Sequence, residues 1–82
     1  MKNKKAKFSS QKATLILLQH LQAKYFGNVN ASIDIDVLAS NSMDVWIGKG
    51  EGLVNITFSN NDTAETRKRQ YDELLNLINN RL

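Results

Sequence analysis

The spacing of apolar residues changes along this chain, and that change restricts the fold more than any other feature. From position 29 to position 37, apolar side chains alternate with polar ones. A period of two predicts a β-strand with one buried face, as in an antiparallel sheet. The same alternation recurs over 43–48 and 53–58, so the middle of the chain predicts three strands. The apolar side of these strands consists of Val29, Ala31, Ile33, Ile35, Val37, Met43, Val45, Ile47, Val54, Ile56 and Phe58.

Short polar segments separate the predicted strands. Ser40-Asn41-Ser42 predicts a turn, and the glycine-rich segment from Gly48 to Gly52 predicts a hairpin connection, because glycine readily adopts positive φ. Glycine-rich loops that bind phosphate join a strand to a helix, whereas this one joins two strands. We therefore interpret the glycines as a turn.

Helical periodicity flanks the strands on both sides. The first predicted helix begins after Ser9, which can cap it, and runs to about Phe26, where Gly27 ends it. The second follows Asp62, which with Glu65 approximates a capping box, and reaches the end of the printed chain. The apolar stripes are Thr14, Leu17, Leu18, Leu21 and Tyr25 in the first helix, and Tyr71, Leu74, Leu75, Ile78 and Leu82 in the second.

Together these elements predict an α+β fold: a helix, a three-stranded antiparallel meander and a helix (αβββα), in two layers with both helices on one face of the sheet. The 82 residues are enough for one domain. We place a basic leader, of a kind that is often disordered, at 1–8 and a single domain at 9–82. Since cysteine is absent, a disulfide framework and a thiolate metal site are excluded.

Charge is distributed unevenly along the chain. Positions 1–33 carry six lysines and no acidic residue, whereas positions 34–52 carry four acidic residues and one lysine. A basic front of this kind is typical of contact with a polyanion or an acidic partner. It is equally typical of a lysine-rich segment that only aids solubility.

The polar side of the predicted sheet carries the candidate partner-binding residues Asp34, Asp36, Asp44 and Trp46. Tryptophan is enriched in binding hot spots, so we expect this face to contact a protein partner or a second copy of the chain. Two other interpretations stay open: Phe8 and its neighbours cover Trp46, or the aspartates serve solubility alone. The carboxylates disfavour base stacking on this face, and a flat sheet without calcium-loop spacing disfavours a metal site.

Nucleic-acid binding is the alternative function. Lys4, Lys5 and Lys7 near the N-terminus, with Arg67, Lys68 and Arg69 in the second helix, could contact phosphates. The order of elements is similar to that of the double-stranded RNA-binding domain, in which a basic cluster near the start of the second helix contacts phosphates. Arg67, Lys68 and Arg69 stand at a comparable place. The glycine-proline-x-histidine loop of that family is absent, and Ser40-Asn41-Ser42 stands in its position.

Enzymatic chemistry has little support in the sequence. His20 is the one histidine, it lies beside the apolar stripe of the first helix, and no nucleophile motif accompanies it. We therefore expect a non-enzymatic binding module without a cofactor. The apolar run at 13–18 is too short for a secretory or membrane-spanning segment, so we expect a cytoplasmic protein. Its size and composition fit a regulatory role, such as those of small phage or mobile-element proteins.

Overall fold

The computed structural model describes residues 8–82 and contains two helices and one three-stranded antiparallel sheet. In chain order the elements are α1 (Gln11–Lys24), β1 (Ile33–Val37), β2 (Met43–Ile47), β3 (Val54–Phe58) and α2 (Ala64–Arg81). A single 3₁₀ turn, Gly50–Gly52, lies between β2 and β3. The predicted α+β fold and its order of elements are confirmed.

Both helices begin one residue later than the sequence predicts. Ser10 caps α1, since its hydroxyl accepts a hydrogen bond from the Ala13 amide at 3.1 Å. Thr63 caps α2, since its hydroxyl accepts from the Thr66 amide at 3.1 Å. Asp62 closes the preceding turn, because its carboxylate accepts from the Ser59 amide at 2.9 Å. Neighbouring polar residues can serve equally well as caps, and contacts in the adjoining turn decide between them.

The first strand is shorter than the alternation predicts. The Asn28 side chain accepts hydrogen bonds from the amides of Asn30 and Ala31, both at 3.0 Å, which holds this segment in a turn. Val29, expected on the apolar side of the sheet, is 62% exposed as a result. β1 then begins at Ile33 and pairs with β2, which in turn pairs with β3.

The core is built from side chains of both helices and all three strands. One buried cluster contains Leu18 and Leu21 of α1, Leu74 and Ile78 of α2, and the inward side chains of all three strands. The placement of both helices on one face of the sheet stays a prediction. The strand members are Ile33, Met43, Val45, Ile47, Ile56 and Phe58.

Candidate functional site: the open face of the sheet

The open face is the side of the sheet that carries Asp34, Asp36, Asp44, Trp46, Asn55 and Thr57. Residues directly opposite each other in antiparallel strands project to the same side. In one row, Trp46 of β2 lies between Asp34 of β1 and Asn55 of β3. In the next row, Asp44 of β2 lies between Asp36 of β1 and Thr57 of β3. The register therefore brings together all four residues that the sequence predicted for partner binding.

Trp46 occupies the central strand of this face and is partly buried. Asp34 of β1 and Asn55 of β3 lie opposite it, and part of its surface stays accessible. Phe8 does not cover it, because the Phe8 ring is buried against Tyr71 of α2, with ring centroids 5.4 Å apart. The alternative interpretation that Phe8 covers Trp46 is therefore excluded. Residues 1–7 lie outside the described part of the chain.

The aspartates give the open face a negative charge. Asp34 and Asp36 are exposed, and Asp44 is partly buried and accepts a hydrogen bond from the Thr57 hydroxyl at 2.7 Å. Within residues 8–82 the only ion pair joins Lys68 to Asp72, so none of these three carboxylates is neutralised by a described cation. Unpaired carboxylates on one surface create a potential that attracts positively charged groups.

A metal centre has no support in the described structure. Over residues 8–82, no group of three histidine, aspartate or glutamate side chains is arranged to hold a metal ion. Asp34, Asp36 and Asp44 are spread across two strands of a flat surface, whereas hard cations are usually enclosed by six or more oxygen ligands.

Arg67 does not belong to an exposed basic cluster, contrary to the sequence prediction. Its side chain is only 5% exposed, and its guanidinium donates to the carbonyl oxygens of Phe8 and Asn60, both at 3.1 Å. A third donor, Nε, lies 3.4 Å from the side-chain oxygen of Gln11. Because these donors bond to groups inside the protein, the Arg67 guanidinium is not available to a phosphate at the surface.

The other predicted nucleic-acid residues have different surroundings. Lys68 is exposed and pairs with Asp72 one turn later on α2, at 2.8 Å, and Arg69 is exposed. Lys4, Lys5 and Lys7 lie outside the described residues. Of the predicted cluster in α2, only Lys68 and Arg69 face solvent. The positive charge of Lys68 is offset by its ion pair with Asp72.

Two leucines extend the open face beyond the residues that the sequence analysis singled out. Leu38 and Leu53 continue the alternation of β1 and β3 on the side of Trp46, and both are exposed. The amide of Leu38 still bonds to Ser42 across the sheet, at 2.8 Å. Leu53 already lies within the predicted third strand, and extending the first predicted strand by one residue would have found Leu38.

The chain was also compared with known proteins and examined for membrane spans. Among residues 8–82, neither helix has both the length and the apolar character needed to cross a bilayer. No known protein family, curated protein sequence or solved structure matches the chain.

Proposed function

We propose that this protein is a non-enzymatic binding module that contacts a basic partner protein through the open face. Trp46 supplies the apolar contact, and Asp34, Asp36 and Asp44 receive the partner's lysine or arginine side chains. The single observation that carries the proposal is a partly exposed tryptophan in the central strand, among three carboxylates that no described cation neutralises. Binding alone is enough for a regulatory role when it covers a surface that the partner needs for its own activity.

A basic partner fits this face better than a second copy does. Two open faces packed against each other would bring six carboxylates into one interface, since each copy supplies Asp34, Asp36 and Asp44. Like charges brought together at an interface cost several kcal/mol. The same charges speed the encounter with a positively charged partner and raise its specificity.

The proposal is tested with random 12-residue peptides displayed on phage and selected against the intact chain. We expect the selected peptides to combine lysine or arginine with apolar residues. A Trp46→Ala substitution should weaken their binding about 30-fold, the loss typical of a hot-spot tryptophan. Combined Asp34→Asn and Asp36→Asn substitutions should weaken it about tenfold. Fluorescence anisotropy of labelled peptides measures both effects.

Matched control variants lie on the helices. Ile16→Ala removes an exposed apolar side chain from α1, and Glu73→Gln removes an exposed carboxylate from α2. Both should bind the selected peptides as the wild type does. The proposal is wrong if Trp46→Ala binds normally, or if selection enriches acidic peptides.

Nucleic-acid binding is a weaker proposal, supported by the lysine-rich front and by Arg69 on the surface of α2. Phosphate contacts make affinity fall steeply with salt, whereas burial of an aromatic ring does not. Retention on duplex RNA or DNA at low salt that is lost in Arg69→Glu would favour this function. Wild-type protein that fails to bind either duplex at low salt would exclude it.

A further inference from the structure

We infer that the outer edge of β1 binds an extended peptide whose side chains alternate between basic and apolar, as an added fourth strand. The inference rests on the proposed function, because it specifies how the basic partner docks beside the open face. The hydrogen-bond pattern of the sheet, the charges on β1 and the cavities at its ends support it.

Hydrogen bonds at both ends of β1 establish which backbone groups face outward. The Gly48 amide donates to Ser32 at 2.9 Å, and the Leu38 amide donates to Ser42 at 2.8 Å. Because bonded and non-bonded pairs alternate in an antiparallel ladder, even-numbered β1 residues bond to β2. The amides and carbonyls of Ile33, Ile35 and Val37 therefore point away from the sheet.

Each edge of the sheet has one outward carbonyl that accepts a hydrogen bond from a glutamine side chain. On β1, the Gln22 side chain donates to the outward Ile33 carbonyl at 2.8 Å. On β3, the Gln70 side chain donates to the Thr57 carbonyl at 2.7 Å. In the part of the chain that the structure describes, no side chain bonds to the outward groups of Ile35 or Val37. These two residues leave two amides and two carbonyls open to a partner strand, the arrangement that strand addition uses.

The side chains of β1 define the chemistry of the added strand. A strand paired with β1 would place alternate side chains beside Asp34 and Asp36 on the open face, where positive charge is favoured. Its remaining side chains would point toward α1 beside Ile35 and Val37, and Val37 is 57% exposed. The occupant therefore carries lysine or arginine on one side and apolar residues on the other.

Cavities between α1 and the sheet lie at both ends of β1. One, of about 270 Å³, is lined by residues that include Leu15, Val37 and Met43. The other, of about 260 Å³, is lined by Phe26, Val29 and Ile33 and by polar residues that include Asp34 and Lys49. Apolar side chains of the added strand that project toward α1 have space in the first cavity.

Charge also excludes a second copy as the occupant of this edge. If two β1 strands paired antiparallel around Ile35, Asp34 of one copy would face Asp36 of the other twice in the same interface. Like charges directly opposite each other destabilise a strand pair. A basic segment relieves the repulsion between Asp34 and Asp36 that a second copy would increase.

The test uses a labelled peptide in which three Lys-Val repeats are followed by a lysine, added to the intact protein. On binding, amide hydrogen exchange at Ile35 and Val37 should slow at least tenfold, because these amides become ladder donors. Exchange at Asp34 and Asp36 should change far less, since their amides already bond to β2. NMR on the wild-type chain measures all four rates without any substitution.

Variants and modified peptides test the backbone contact separately. Val37→Pro removes an outward donor from an exposed edge position, where proline is tolerated, and should weaken binding about tenfold. Val37→Thr keeps the amide and should bind within about twofold of the wild type. A peptide with glutamate in place of lysine should bind at least tenfold more weakly. A peptide methylated on the backbone nitrogens that face β1 should also bind at least tenfold more weakly.

The outcomes separate the edge from the open face. Unchanged exchange at Ile35 and Val37 with normal binding by Val37→Pro would overturn the edge site, even if Trp46→Ala still abolished binding. If Trp46→Ala binds the peptide normally and Val37→Pro does not, the edge site is supported and Trp46 has no part in the proposed function. Equal binding of the lysine and glutamate peptides would overturn the basic occupant.

Discussion

At the scale of single residues, Arg67 determines how the N-terminal end of the domain is held. Its guanidinium reaches three separate segments: Phe8 before α1, Gln11 at the start of α1, and Asn60 after β3. The planar fork of arginine suits several acceptors at once, which the single ammonium of lysine does not match. All three acceptors are neutral, so the buried charge is stabilised by hydrogen bonds.

Replacing Arg67 tests this structural role. Arg67→Ala should lower the free energy of unfolding by about 3 kcal/mol, because it leaves buried acceptors unpaired and removes packing. Arg69→Ala, the matched variant on the exposed side of α2, should change it by less than about 0.5 kcal/mol. Urea unfolding followed by circular dichroism measures both. Equal effects of the two substitutions would contradict the assignment.

At the scale of elements, the end of α2 is tied to two connections of the sheet. The Arg81 guanidinium donates to the Gly52 carbonyl at 2.6 Å, between β2 and β3, and to the Asn30 carbonyl at 3.2 Å, before β1. Gly48 lies next to these hydrogen bonds, and its φ is +89°. A Cβ there would collide with Arg81 Nη1 and lie 3.2 Å from the Gly52 carbonyl oxygen.

Two glycine substitutions separate backbone strain from crowding at this connection. Gly48 and Gly50 both have positive φ, but only Gly48 is crowded, since a Cβ at Gly50 has nothing within 4 Å. Gly50→Ala should cost about 1 kcal/mol of stability from the backbone conformation alone. Gly48→Ala should cost about 2–3 kcal/mol, because the crowding adds to it. Urea denaturation measures the free energy of unfolding of both variants. Equal losses of stability would show that crowding near Arg81 adds nothing at Gly48.

At the scale of the whole molecule, the open face is acidic, whereas α2 exposes charges of both signs. The open face carries three aspartates, while α2 exposes Lys68 and Arg69 together with Asp72 and Glu73. The net charge of +3 conceals this acidic face. A molecule with an acidic face attracts a basic partner in a preferred orientation, and salt weakens that attraction.

The stability of the whole domain should also fall at high pH. Burial of Tyr71, followed by the charges of Asp72 and Tyr25, raises the pKa of Tyr71 above its ordinary value of about 10. Below pH 10 the phenol is protonated in both the folded and the unfolded chain, so it adds no pH dependence. Above pH 10 the unfolded chain loses the proton first, and stability falls until pH exceeds the raised pKa.

Substitution of tyrosine isolates this contribution. Tyr71→Phe should flatten part of the decline in unfolding free energy above pH 10, whereas Tyr25→Phe should retain most of it. Urea denaturation at several pH values measures the slope. A Tyr71→Phe slope identical to that of the wild type would show that another group is responsible.

The sequence by itself determined the order of elements and the membership of the open face. Alternation over β1, β2 and β3 places Asp34, Asp36, Asp44 and Trp46 on one side, because side-chain direction in a strand follows from backbone geometry alone. The helical stripes predicted Leu18 and Leu74 in the core for the same local reason.

Tertiary structure alone decided which polar side chains are buried and which outward carbonyls at the sheet edges are bonded. Arg67, Lys68 and Arg69 are adjacent and similar in charge, yet only Arg67 is buried, through a bond to Phe8, 59 positions away. Likewise, Gln22 and Gln70 close parts of the two edges through contacts that no local pattern encodes. Such contacts depend on how the helices pack across the sheet, which the spacing of residues along the chain does not specify.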